Sequence, residues 1–175
     1  ILTDGLNGFA AAASNTSVDV TGWALSNLRI TPPADSDQDF TLTVTATATE
    51  AANSDNAVNS DTIDVVVTAV ADQPTLTVPS TIAVNEDTNS ASFAITSTLT
   101  DTDGSESLDL EISNVPVGVT ITDGTNTFVS SVGSTTVDVT TWNLAGLTIT
   151  PATNSDQDFD LTVAATATEG ANGDQ

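Results

Sequence analysis

Ser36–Asn53 reads "SDQDFTLTVTATATEAAN", and Ser155–Asn172 reads "SDQDFDLTVAATATEGAN". Along Phe40–Thr49 and Phe159–Thr168 apolar residues alternate with polar ones, mostly Thr, the period of a strand with one buried face. The two stretches lie 119 residues apart. The same offset relates "TDGLNGF" at Thr3–Phe9 to "TDGTNTF" at Thr122–Phe128, and "VDVTGWALSNLRITP" at Val18–Pro32 to "VDVTTWNLAGLTITP" at Val137–Pro151. About 32 of 56 aligned positions are identical, with no gap. Self-similarity at a fixed period makes the chain a tandem array. Residues 1–72 read as the C-terminal part of one repeat, and residues 73–175 as a second repeat lacking its last strand.

Outward from the repeated stretch the pattern stays strand-like. "TIDVVVTAVA" at Thr62–Ala71 likewise alternates apolar residues with Thr or Asp, as a strand with one buried face does, and the 33 Thr residues suit a pleated surface better than a helix. Asp-Gly pairs at 4–5, 103–104 and 123–124 mark turns. No stretch carries a sustained apolar stripe at 3.6-residue spacing, so helical solenoids are excluded. Short strands between turns predict an all-β fold, a tandem of Greek-key β-sandwich repeats. Trp23 and Trp142 fall at equivalent positions of strand-like W-x-L-x-x-L-x-I-T-P runs and are expected to pack in the cores, as are Phe9 and Phe128.

Charge narrows the function. Twenty-four acidic residues face one basic residue, Arg29, for a net charge of −23. Nucleic acid and anionic membrane surfaces are bound through Lys and Arg, so both are excluded as partners. No apolar run has the ~18 residues of a membrane span. There is no Cys, His, Lys or Tyr, which removes disulfides, thiolate metal sites, Ser-His-Asp and Cys-His catalysis and Schiff-base chemistry. Glycoside hydrolysis by carboxylates alone would need a cleft lined with aromatics, so a non-enzymatic role is expected. Two carboxylates ~4 Å apart repel by roughly 1 kcal/mol in water and roughly 4 near a protein surface, and a divalent cation would offset that.

The densest acidic turn is "TDTDGSES" at Thr100–Ser107, which holds Asp101, Asp103 and Glu106 around Gly104. Oxygen ligands on alternate residues, with a Gly at the bend, suit Ca²⁺. The spacing is not that of an EF-hand, and a solvated acidic turn is the alternative reading. The loops at Ala34–Phe40 and Thr153–Phe159 form a second acidic cluster, read as polar turns before a strand, with a peripheral Ca²⁺ site as the alternative.

The run "DFTLTVTATATE…TIDVVVTAVADQPTLTV" resembles the end of a cadherin-type domain. The "EDT" at Glu86–Thr88, "TDTDGSESL" at Thr100–Leu108, "VPVGVTI" at Val115–Ile121, the W-x-L-x-x-L-x-I-T-P centre and "DFxLTVxATATE" together resemble the cadherin-like and Ig-like extender repeats of giant bacterial RTX-type adhesins exported by type I secretion. The resemblance covers nearly the whole chain. It implies an extracellular rod at the bacterial cell surface, stiffened by Ca²⁺ between neighbouring repeats of the same chain and supporting adhesion and biofilm. It also implies ligands at acidic strand ends and in the linker. A site formed by Asp72, Asp101, Asp103 and Glu169, with Glu106 as an extra ligand, is expected at the junction between repeats. Glu86 and Asp87 would lie at the opposite pole, and Glu50 would serve the junction upstream. The alternatives are a carbohydrate-binding cadherin-like module whose partners are surface glycans, and a homophilic or filament-forming surface protein that pairs with copies of itself.

Overall fold

Alternation in the sequence becomes ladders in the structure. The computed structural model describes every residue from Ile1 to Gln175, and it contains no α-helix. Its contacts divide the chain into two units, Ile1–Thr68 and Ala69–Gln175, so Ala69–Asp72 belong to the second.

The second unit holds strands β6 (Thr75–Thr77), β7 (Thr96–Thr98), β8 (Glu106–Ser113), β9 (Thr120–Thr122), β10 (Thr127–Val129), β11 (Val137–Asp138), β12 (Thr148–Thr150) and β13 (Thr162–Glu169); the first unit's strands are β1 to β5, given below. All pairing is antiparallel: β6 pairs with β7, one sheet runs β10-β9-β12, and another runs β11-β8-β13. Segment Ser90–Ile95 lines the Leu144–Ile149 edge, with Phe93 bridged to Leu147. One apolar cluster takes Leu110 and Ile112 from β8, Ile121 from β9 and Ile149 from β12, together with Ile95, Val115, Val119, Val139 and Leu147. The long ladder pairs Thr162 with Ser113 through to Glu169 with Glu106. Its inward row is Leu108, Leu110 and Ile112 on β8 facing Val163, Ala165 and Ala167 on β13, all in or against the cluster apart from Ala167, which is buried alongside. An all-β unit of small antiparallel sheets around a shared apolar centre is consistent with a β-sandwich.

In the first unit, β1 (Leu2–Thr3), β2 (Gly8–Phe9) and β3 (Arg29–Ile30) form a sheet in the order β2-β1-β3. The repeat offset maps these strands onto β9, β10 and β12. A hairpin pairs two ten-residue strands, β4 (Phe40–Thr49) and β5 (Asn56–Val65). No strand of the chain gives β4 what β8 gives β13. The hairpin's apolar side chains accordingly stay open, with Val44 at 50% and Ile63 at 53% of full exposure.

The tryptophan runs are not continuous strands. Trp142 lies in a turn between β11 and β12, and Trp23 lies just before a 3₁₀ turn at Leu25–Asn27. Trp23, Trp142, Phe9 and Phe128 are half-buried rather than enclosed, and Trp142 and Phe128 pack against the central cluster.

Candidate metal centre

The long ladder ends in two opposed acids. Glu106 and Glu169 are direct partners on β8 and β13. The Gly170 N–H donates to the Ser105 carbonyl at 3.0 Å, making Gly170 and Ser105 a hydrogen-bonded pair. Alternation then makes Glu106 and Glu169 a non-hydrogen-bonded pair, the closer kind, with Cα atoms about 4.5 Å apart and side chains on one face. That face is the inward one: Glu106 continues the row of Leu108, Leu110 and Ile112, and Glu169 that of Val163, Ala165 and Ala167. Like charges opposite one another disfavour pairing, yet Glu169 keeps only 2% of its exposure.

Hydrogen bonds serve this pair sparsely. Glu106 Oε1 accepts from the Asp72 N–H at 2.6 Å, while Glu106 Oε2 is fully buried and accepts from nothing. Glu169 Oε1 accepts from the Ala171 N–H and Oε2 from the Ser105 hydroxyl, both at a long 3.3 Å. The same hydroxyl, with the Ser105 N–H, holds the Asp103 carboxyl below its ordinary value. One hydroxyl proton cannot serve both carboxylates, so the cluster is short of donors. The sole basic side chain of the sequence, Arg29, belongs to the first unit.

The surrounding turn is built as the sequence suggests. Gly104 takes a positive φ of 95°, and Asp101 Oδ1 and Asp103 Oδ1 accept from the N–H groups two residues on. Asp101 is buried at 6% exposure, whereas Asp103 is exposed. A Cβ on Gly170 would meet the Ser105 carbonyl at 2.9 Å, so only Gly lets this ladder end close against the acidic turn. Asp174, which the sequence does not single out, accepts from the Ala71 N–H at 3.2 Å. Asn172 donates to the Ala69 carbonyl at 2.8 Å. Both bonds tie the turn after β13 to the segment carrying Asp72. The internal repeat carries the missed signal, because Asp55 stands at the matching place and its carbonyl accepts from the Glu50 N–H as that of Asp174 does from Glu169.

Asp72, Glu106 and Glu169 are thus linked within one unit through Ser105 and the strand ladder, with Asp101 and Asp103 on the turn that precedes β8. As they stand, no three acidic side chains are arranged to hold one ion. The donor chemistry nevertheless fits a hard cation: the side-chain groups are carboxylates and one hydroxyl, all oxygen, and one buried carboxylate oxygen has no partner. The remaining candidates lie elsewhere. Asp87 Oδ1 accepts from the Asn154 N–H at 2.8 Å, which puts Asp87 and its exposed neighbour Glu86 beside the Thr153–Phe159 loop, at the other end of β13 from Glu169. Glu50, at the end of β4, is exposed, and its Oε1 accepts from the Ala52 N–H at 3.3 Å.

A second kind of carboxylate went unrecognised in the sequence. Asp123 accepts from the N–H groups of Thr125, Asn126 and Asn143 and from the Asn126 side chain. Asp4 repeats the arrangement with Leu6, Asn7 and Ala24. The Asn143 and Asn126 N–H groups around Asp123, and the Asn7 and Ala24 N–H groups around Asp4, hold both carboxyls well below the usual range. These saturated acids clamp the TDGxN turn to the tryptophan turn and have no oxygen to spare for a cation. No protein-family model, curated protein or solved structure matches the chain.

Proposed function

We propose that this chain is a pair of tandem Greek-key β-sandwich repeats, cadherin-like and Ig-like in type, and that it acts as a structural extender of a large extracellular adhesin. It catalyses nothing. Ca²⁺ drawn to Glu106 and Glu169, with Asp72 and Asp101 beside them and Asp103 on the same turn, stiffens successive repeats into a rod at the bacterial surface. The observation that carries this reading is the buried, unpartnered Oε2 of Glu106 opposite the buried Glu169, in a unit with no basic side chain. A shared cation offsets the repulsion and desolvation of such a pair, and binding draws the flanking carboxylates around it. Affinities of about 10⁻⁴–10⁻³ M are enough outside a cell, and they leave the junction loose wherever calcium is scarce. The resemblance to type I-secreted adhesins supports the same assignment.

Thermal melting in EDTA and in Ca²⁺ tests the site. Calcium at ten to a hundred times Kd raises stability by about 1.4–2.7 kcal/mol. E106Q loses that gain and, by relieving the like-charge pair, melts no lower than the parent in EDTA. Small-angle scattering then shows a narrower, longer distance distribution with calcium in the parent alone. A melting temperature indifferent to calcium overturns the proposal.

A further inference from the structure

We propose that Asn7 is a self-modification site, deamidated through attack by the Gly8 backbone nitrogen, and that its conversion loosens the Asp4 clamp of the first unit. Asn is among the thermolabile residues. Its side-chain amide is lost when the backbone nitrogen of the next residue attacks it, and glycine there, having no Cβ, obstructs the approach least. Two Asn-Gly pairs occur in the sequence, Asn7-Gly8 and Asn172-Gly173. The fold treats them differently.

The nucleophile must be an N–H that nothing else holds. The Asp4 N–H donates to the Asn7 carbonyl at 3.3 Å, so Asp4 and Asn7 form a hydrogen-bonded pair and Thr3 and Gly8 the non-bonded pair next to it. The Gly8 N–H therefore turns away from β1, and β2 is the outermost strand of its sheet. Gly8 is exposed, and the space where its Cβ would stand is empty. The second unit has the same edge: β10 is outermost there, and the exposed Thr127 stands in place of Gly8. Its branched side chain obstructs attack on Asn126. At Asn172 the groups are occupied. The Gly173 N–H donates to the Glu169 carbonyl at 2.7 Å, Asn172 Oδ1 accepts from the Asp174 N–H at 2.9 Å, and the Asn172 amide donates to the Ala69 carbonyl at 2.8 Å. The repeat holds Asn53 in the same way, with the Ser54 N–H donating to the Glu50 carbonyl at 2.8 Å.

In the reaction the Gly8 nitrogen gives its proton to water, bonds to Asn7 Cγ and expels the side-chain nitrogen as ammonia, leaving a cyclic succinimide. Water then opens one of the two ring C–N bonds, giving aspartate or, with the backbone rerouted through Cγ, isoaspartate. One water is consumed and one ammonia released, with no oxidant or cofactor. The only bond restraining the exposed Asn7 side chain is its donation to Asp4 Oδ2 at 3.0 Å. The product puts a carboxylate where that donor stood, beside a carboxylate that is itself buried, and the like charges repel. Asp4 also accepts from the Ala24 N–H at 2.9 Å, so the hold between the TDGxN turn and the tryptophan turn weakens as the chain ages. The inference is independent of the calcium reading, since none of these residues belongs to that site.

Warm incubation of the full chain at mildly alkaline pH, followed by peptide mapping with mass spectrometry, tests the site. In the folded chain Asn7 is deamidated at least about tenfold faster than Asn172 or Asn126, and in urea Asn7 and Asn172 react within about twofold of each other. G8T, which copies Thr127, slows the reaction at Asn7 by at least about tenfold. Amide hydrogen exchange reads the clamp: the Ala24 N–H exchanges at least about tenfold faster in N7D than in the parent. The parent acquires the same faster exchange as it ages, and G8T does not. The comparison of the parent in and out of urea needs no variant and stands should G8T not fold. Less than about a tenfold excess at Asn7 over Asn172 in the folded chain, or an excess that persists in urea, overturns the proposal. So does a folded G8T that reacts as fast as the parent, or an Ala24 exchange rate that ageing leaves unaltered.

Discussion

Asp123 and Glu106 are both half-buried carboxylates of one unit with opposite surroundings. Asp123 is saturated with N–H donors, whereas one oxygen of Glu106 has none. Because Asp123 titrates lower when folded than when unfolded, its stabilisation is fully present above the unfolded value, near 3.9, and is lost as pH falls towards the folded value. D123N turns an amide donor at N–H groups that need an acceptor, and it lowers the melting temperature by several degrees at neutral pH. Melting both proteins from pH 7 to pH 2 checks the sign: the difference is constant above about pH 5 and shrinks below about pH 4. A gap that widens in acid contradicts the assignment. Glu106 was legible as a candidate from the acidic turn around Gly104, and Glu169 from the acidic end of a strand-like run that resembles a cadherin-type one. Asp4 and Asp123 were not, because the donors that define them, on Ala24 and Asn143, come from a turn distant in sequence.

Elements with unbroken two-residue periodicity, β4, β8 and β13, follow the sequence closely, since each side chain's face is fixed by the pleat. The tryptophan runs do not. Trp142, Leu144, Leu147 and Ile149 are spaced two, three and two residues apart, and the odd step is where the strand breaks into a turn before Leu147 re-enters the core. Packing around equivalent residues then differs between units. Leu147 is fully buried in the central cluster, whereas its repeat counterpart Leu28 remains 37% exposed. L147A should cost about 2–5 kcal/mol of stability, and L28A less than about 1. Urea unfolding in a W23F background, where Trp142 alone reports, measures the first, and W142F with Trp23 reporting measures the second. Similar losses at both positions would mean that the first unit encloses its apolar residues as the second does.

At the scale of the whole molecule, the repeat and the charge were both legible, and what composition could not reveal is which carboxylates become inward-facing. That depends on strand register, and register is set by packing. The net charge of −23 acts through general repulsion, which salt screens, and through the Glu106–Glu169 pair, which lies inside the ladder where salt screens it little. The two contributions separate by ionic strength. In EDTA, raising NaCl from about 0.1 M to about 1 M shortens the screening length from ~10 Å to ~3 Å, and the melting temperature rises in the parent and in E106Q alike. Calcium added at about 1 M NaCl still stabilises the parent by more than half of its low-salt effect, because the ion meets desolvated oxygens. E106Q gains nothing from it. If high salt erases the calcium effect in the parent, the ion is held by diffuse surface charge and the ladder end is not its site. A persistent effect that vanishes with one buried oxygen ties calcium binding to Glu106.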